Sequence, residues 1–183
     1  LKGIEYPLMS TCLTVQQCRH IMSPALMAGL PASKIQRHLP HDLVYGPISA
    51  QGLGIPFIHT TQTLEHILAC LRHAHDDTLT GQLLQSSCKS LILQLGSSIQ
   101  VWNLEYHLWE PIVTDSWLKA TWRDLRLQNL HLEDTITRPK LKRTQDIFLM
   151  DAFIAAGYRK GDLHALNWCR MYLQALRFSD ISN

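Results

Sequence analysis

The chain has 183 residues, of which 46% are hydrophobic and 17% charged, and a net charge of +2. That length suits one domain or a domain with an appendage, and it can bury about 70% of its unfolded surface without covalent staples. No apolar run approaches the roughly 18 residues that cross a bilayer, LKGIEYPL has neither the charged region nor the cleavage site of a signal peptide, and the small net charge does not by itself specify a nucleic-acid partner.

The elements follow in chain order. Thr14 and Gln17 have capping-box spacing. Behind them Val15, Cys18, Ile21, Met22, Ala25, Leu26 and Leu30 recur at helical intervals, with Pro24 expected to kink the helix or split it at Ser23. A turn from Ser33 to Leu39 ends at Pro40. In HDLVYGPISAQGLGIPFIHTTQ, residues 41–62, Leu43, Val44 and Tyr45 are β-prone, and Gly46-Pro47 stops them. Gly52 and Gly54 supply bends, with a positive φ expected at Gly54. A second extended piece through Ile55, Phe57 and Ile58 leads to a helix capped by Thr60 or Thr61. That helix carries Leu64, Ile67, Leu68 and Leu71 on one face. A further helix, Leu79 to Leu95, stops at Gly96.

Residues 97–114, with Val101, Trp102 and Trp109, read as an irregular joint between two helical lobes, 1–96 and 97–183. Asp115 or Ser116 caps a helix with Leu118, Trp122 and Leu125. Residues 130–143 are loose and end in RPKLKR. Thr144 caps a helix with Ile147, Phe148, Met150, Phe153 and Ile154 that ends at Gly157. A last helix spans Asp162 to Leu176 and carries Leu163, Leu166, Cys169, Leu173 and Leu176. Ser179 and Asp180 look like an N-cap opening another helix, as in a piece of a longer polypeptide. The expectation is an all-α protein of about six to seven helices with a short extended Gly/Pro corner at Gly46, Pro47, Gly52 and Gly54.

The five cysteines, Cys12, Cys18, Cys70, Cys88 and Cys169, are odd in number and lack CxxC spacing. They read as reduced core thiols, which places the chain inside the cell, in nucleus or cytoplasm. The low charged fraction, against an average of about 25%, predicts apolar surface that meets a partner domain or chain. The five tryptophans sit at packing positions.

Chemistry is harder to find. His73, His75 and Asp76 could hold a metal, but the stretch to Thr78 reads more simply as a helix end followed by the next helix start. Asp76-Asp77 is flanked by RHAH and TLTG rather than the apolar strands of a polymerase hairpin. The glycines fit neither GxGxxG nor GK[ST], and there is no GxSxG. No catalytic residue, metal site or cofactor is assigned. Residues 1–110 hold 6 basic and 7 acidic side chains, and residues 111–183 hold 11 and 8. The densest basic run, Arg138, Lys140, Lys142 and Arg143, is a candidate for phosphate contacts. Lys34, Arg37 and His38 form a weaker second patch.

Several of these features resemble the region after the polymerase palm in non-LTR-retrotransposon-like reverse transcriptases of eukaryotic, algal-type elements. LKGIEYPL before a helix, then LPHDLVYGPISAQGLGIPFIHTTQ, is similar to their thumb pattern of helix, apolar proline-bearing stretch, glycine turn and a helix beginning near a glutamine. The turn here is Gln51-Gly52-Leu53-Gly54, with Gln51 in place of the usual glycine, and the glutamine is Gln62. LNWCRMYLQALRFSDIS is similar to a recurring segment of large retroelement reading frames, through Leu166, Asn167, Arg170, Leu173, Asp180 and Ile181. The resemblance implies a thumb and post-thumb fragment of an RNA-directed DNA polymerase whose paired aspartates, and the Mg they hold, lie in a palm upstream. The chain would not catalyse. It would position an RNA/DNA template–primer and pack on the palm. Two other readings stay open: a helical protein–protein interaction module without a nucleic-acid role, and a metal hydrolase on His73, His75 and Asp76.

Overall fold

The computed structural model describes residues 8–133 and 139–182. Among them are eight α-helices and four 3-10 turns, and the one β-type pairing is an isolated antiparallel bridge between Phe148 and Arg177. The fold is all-α. It divides into two compact units, 1–67 and 68–183. The joint expected at 97–114 lies inside the second unit. Val101, Trp102 and Trp109 are buried there, so this stretch is core rather than hinge.

In unit 1, helix α1 (Val15–Ala32) opens on the expected capping box, with the Gln17 amide donating to Thr14 Oγ1 at 3.2 Å and the Thr14 amide donating to Gln17 Oε1 at 2.8 Å. The helix is not split at Ser23 and runs through both Pro24 and Pro31. Pro24 removes the hydrogen bond to the His20 carbonyl, but both residues face solvent, where water can take that carbonyl. Cys18 and Met22 of α1 form a small core with Leu8 and Ile58. Lys34 (φ 60°) then reverses the chain. The Ile35 amide donates to the Leu30 carbonyl at 2.9 Å and the Lys34 amide to the Pro31 carbonyl at 2.9 Å, the paired bonds of a Schellman end.

The Gly/Pro corner is built differently from the expectation of two extended pieces. Leu43, Val44 and Tyr45 belong to a five-residue helix, α2 (His41–Tyr45). Pro40 is its N-cap, and the amides of Leu43 and Val44 donate to the Pro40 carbonyl at 3.0 and 3.1 Å, local bonds that outweigh the residues' β propensity. A 3-10 turn (Ile48–Ala50) follows, and the chain returns across the end of α2. The amides of Leu53, Gly54 and Ile55 donate to the carbonyls of Leu43, Gly46 and Val44 at 2.8, 2.9 and 3.2 Å. Carbonyls that a short helix leaves open are thereby satisfied. The close return needs glycine. A Cβ on Gly52 would overlap the Gly46 carbonyl oxygen and stand 2.7 Å from Gly46 Cα. Gly54 has φ 64°, as expected at that bend.

Helix α3 (Ile58–His73) starts before Thr60 and Thr61, which sit in its first turn rather than capping it. Its buried side is Ile58, Gln62, His66, Ala69 and Cys70, whereas Leu64 and Leu71, expected inside, are exposed. Gln62 clasps the segment before α1: its Oε1 accepts from the Leu13 amide at 2.9 Å and the Thr11 hydroxyl at 3.3 Å, and its Nε2 donates to the Leu13 carbonyl at 3.2 Å.

In unit 2, helix α4 (Leu79–Leu95) is capped by Thr78 and ends at Gly96 (φ 62°), as the sequence indicates. Short α5 (Tyr106–Trp109) and α6 (Trp117–Leu127), capped by Ser116, follow. Trp102, Trp122, Leu95, Leu118, Leu125, Met150 and Leu163 are fully buried, and Tyr106 meets Trp122 edge-on at 5.1 Å. Helix α7 (Leu149–Ala155) starts later than a Thr144 cap would give, and α8 (Lys160–Tyr172) is shifted from the expected span of Asp162 to Leu176.

Arg170 of α8 ties this unit together. It is buried, and its guanidinium donates to the carbonyls of Leu93 and Gln94 at 2.6 and 3.0 Å, to the Ala175 carbonyl at 3.2 Å and to Asn167 Oδ1 at 2.6 Å. A cation thus closes the C-terminal end of α4, where the helix dipole favours it. Removal from water lowers its pKa to about 10, so it stays charged at neutral pH.

Ser179 and Asp180 do not open a helix. They lie in a 3-10 turn (Phe178–Asp180) that fastens the chain back onto the loop before α7. Asp146 accepts from the Ser179 amide and hydroxyl at 3.0 and 2.6 Å, and Lys142 Nζ binds Asp180 Oδ1 at 2.6 Å. Asp180 Oδ2 also accepts from the amides of Leu176 and Arg177, at 2.9 and 2.8 Å.

Candidate nucleic-acid interface

The Schellman reversal at Lys34 sends residues 37–45 back along α1. Between them lies a cleft of about 500 Å³. Helix α1 lines one wall with Arg19, Ser23, Leu26, Met27 and Leu30, a row at helical spacing. The opposite wall is Arg37, His38 and His41 with the ring of Tyr45, and among the described residues no acidic side chain lines the cleft. Tyr45 is fixed by tilted ring contacts to His41 at 5.7 Å and Phe57 at 4.8 Å. Burial pushes its phenol up from the usual range, while the Arg19 charge opposes that shift, so the hydroxyl is a donor at neutral pH. Two guanidiniums, a phenol and two imidazoles therefore line one concave surface, a set suited to phosphate oxygens.

No family model matches this chain, nor does any curated protein or solved structure.

The residues chosen from sequence fare unevenly. Arg37 lines the cleft with His38, while Lys34 is the left-handed residue that turns the chain and is not part of the lining. Arg19, His41 and Tyr45 were not singled out by sequence. The signal for Arg19 is its place on α1 beside Ser23 and Met27, but pairing it with Arg37 requires knowing that the chain reverses at Lys34. Of the basic run, Arg138 lies outside the described residues. Lys140 and Arg143 are exposed, but the ammonium of Lys142 is engaged by Asp180. The run is thus partly structural. Gly46, Pro47, Gly52 and Gly54 shape the corner that holds α2, and so the far wall of the cleft.

His73 and Asp76 pair at 2.9 Å within the turn between α3 and α4. Gly81 is set by the same turn, since a Cβ there would overlap the Asp76 carbonyl oxygen. Among the described residues no group of three or more His, Cys, Asp or Glu side chains could hold a metal ion, and no helix is long and apolar enough to cross a membrane. The resemblance residues Asn167, Arg170 and Asp180 have their side chains committed to helix closure and loop fastening.

On the adjoining face of α1, and sharing Leu26 and Leu30 with the cleft, a second cavity of about 440 Å³ is lined largely by apolar side chains, including Ile21, Met22, Leu53, Ile55 and Ile58. Its chemistry suits an apolar surface rather than an anion.

Proposed function

We propose that this chain is a non-catalytic nucleic-acid-holding region of a reverse transcriptase, of the thumb and post-thumb type, and that it grips the sugar–phosphate backbone in the cleft between α1 and residues 37–45. The observation that supports this reading is the cleft itself: Arg19 and Arg37 face one groove with His38, His41 and Tyr45, without a carboxylate among the described residues of the lining. The sequence resemblance supplies the polymerase context, in which the template–primer is the ligand and an upstream palm, carrying Mg, is the catalytic partner. The apolar cavity on the adjoining face of α1 suits packing against such a domain.

The test is equilibrium binding to a labelled RNA·DNA primer–template across a salt series. Affinity should fall linearly with salt on logarithmic axes, and Arg19→Gln with Arg37→Gln should reduce the slope by about 2. A folded chain that does not bind at low salt would overturn the reading. The apolar cavity would then favour the interaction-module alternative, in which the chain contacts protein alone.

A further inference from the structure

Lys160, His164, Trp168 and Tyr172 follow one another at intervals of four along α8 and so form one row on its surface. All four are exposed, Trp168 to 58% and Tyr172 to 87%. Aromatic rings of this size are usually withdrawn from water. The indole is held in place nonetheless: Trp168 Nε1 donates to His164 Nε2 at 3.0 Å, with the two rings nearly perpendicular at 75°. The adjoining row is Gly161, Ala165 and Cys169, and a Cβ on Gly161 would meet nothing within 4 Å. Small neighbours leave room beside the rings. Arg159 and Lys160 stand exposed at the start of the helix, while Asp162 lies off the row.

We propose that this row is a base-stacking platform for single-stranded nucleic acid. The inference rests on the nucleic-acid reading above and adds a second mode of contact to it. The cleft of unit 1 offers charge to phosphates. The α8 row offers π-faces to bases, with cations at one end for the adjoining backbone. That combination is the chemistry by which proteins hold single strands without reading sequence. Charge complementarity favours a nucleic acid over an apolar protein surface here. The row carries a lysine, an imidazole and two rings with polar atoms, and the exposed aliphatic at its end is Leu173.

The experiment uses the full chain and two labelled oligomers of about twelve nucleotides, oligo(dT) and an abasic strand of equal charge. Binding is followed by anisotropy across a salt series. Wild type should bind oligo(dT) more tightly than the abasic strand. Trp168→Ala with Tyr172→Ala should weaken oligo(dT) binding roughly tenfold or more. The salt slope and the abasic affinity should not change, and Trp168→Phe should keep most of the binding. Equal wild-type affinity for the two strands, or aromatic variants that bind oligo(dT) like wild type, would overturn the platform. So would self-association that is lost in the same variants, which would assign the row to a protein contact. A slope that Arg19→Gln and Arg37→Gln leave unchanged counts against the cleft instead, so the two readings fail separately.

Discussion

The guanidinium of Arg170 occupies the space that a side chain on residue 96 would need: a Cβ on Gly96 would stand 2.6 Å from Arg170 Cζ. Gly96 also has φ 62°, so glycine is required there both by conformation and by the cation beside it. Gly96→Ala should lower stability by about 1–3 kcal/mol. Arg170→Met should do more, because it removes the donor from the carbonyls of Leu93, Gln94 and Ala175, of which the bond to Ala175 is buried and the other two part-buried, and a buried acceptor left unmet costs about 1–3 kcal/mol. Arg170→Lys should recover only part of the loss, since an ammonium cannot reproduce the planar fork. Urea unfolding measures all three, and an unchanged midpoint for Gly96→Ala would refute the crowding.

Two helix ends carry a side chain where glycine fits better. Lys34 has φ 60° and Gln174 φ 53°, each at the left-handed position of a Schellman end. Lys34→Gly and Gln174→Gly should each stabilise the chain by about 0.5–1 kcal/mol. Gly157→Ala, at φ 78°, should act in the opposite direction. Melting temperatures that move the other way would show that the side chains contribute more than the backbone conformation costs.

Acid should loosen the fastening of residues 176–180. Desolvation alone would raise the Asp180 carboxyl, but the Lys142 ammonium and the amides of Leu176 and Arg177 outweigh it and hold the group at about 2, against 3.8 when unperturbed. A lowered folded-state pKa means that this stabilisation is complete above pH 3.8 and is lost as pH falls through about 2. Asp146 acts in the same direction: hydrogen bonds from Ser179 and the neighbouring amides overcome desolvation and lower its carboxyl. Asp180→Asn should therefore be less stable than wild type near neutrality and should lose less stability on acidification. Parallel acid titrations by circular dichroism would contradict this assignment.

The thiols should separate into two classes. Cys12 and Cys169 are exposed, whereas Cys18, Cys70 and Cys88 are buried. Burial pushes the Cys70 thiol up to about 12 and Cys88 to about 11. Because the thiolate is the reactive form, a maleimide should label two sites in the native chain and five after unfolding. Rapid native labelling at Cys70 or Cys88 would contradict the buried placement.

Lys142 and its neighbours in the basic run should behave differently. Lys142→Met should lower the melting temperature by removing the Asp180 contact and should barely change the salt slope of primer–template binding. Lys140→Gln with Arg143→Gln should do the reverse if the exposed remainder of the run meets phosphates, lowering the slope by at most about 2.

Local signals carried much of the fold. Thr14, Thr78, Ser116 and Gly96 mark helix ends through short-range chemistry, and the structure places those ends accordingly. Other features depend on residues distant in the chain. Leu43–Tyr45 favours strand until the amides of residues 53–55 arrive to satisfy a short helix. Leu64 and Leu71 suggest an inward face, yet the packed side of α3 holds His66 and Gln62, and the value of Gln62 lies in its hydrogen bonds. The exposed rows of α4 and α8 show the same limit, because Leu79, Leu83 and Leu173 fit helical periodicity without being buried. Half of the cleft was legible in Arg37 and His38. Arg19 was not, because it joins them only through the left-handed turn at Lys34.

The Gln62 clasp also sets how far unit 1 can be shortened. Its side chain, only 2% exposed, meets both backbone groups of Leu13, 49 positions earlier. It acts as a short piece of strand supplied by a side chain. Trimming to Val15 would remove no α1 residue, yet it would strand a buried amide with its donors and acceptors unmet. Leu8 completes the small core with Cys18, Met22 and Ile58, so the smallest form of unit 1 reaches back to Leu8, and α1 by its own sequence is not a separable part.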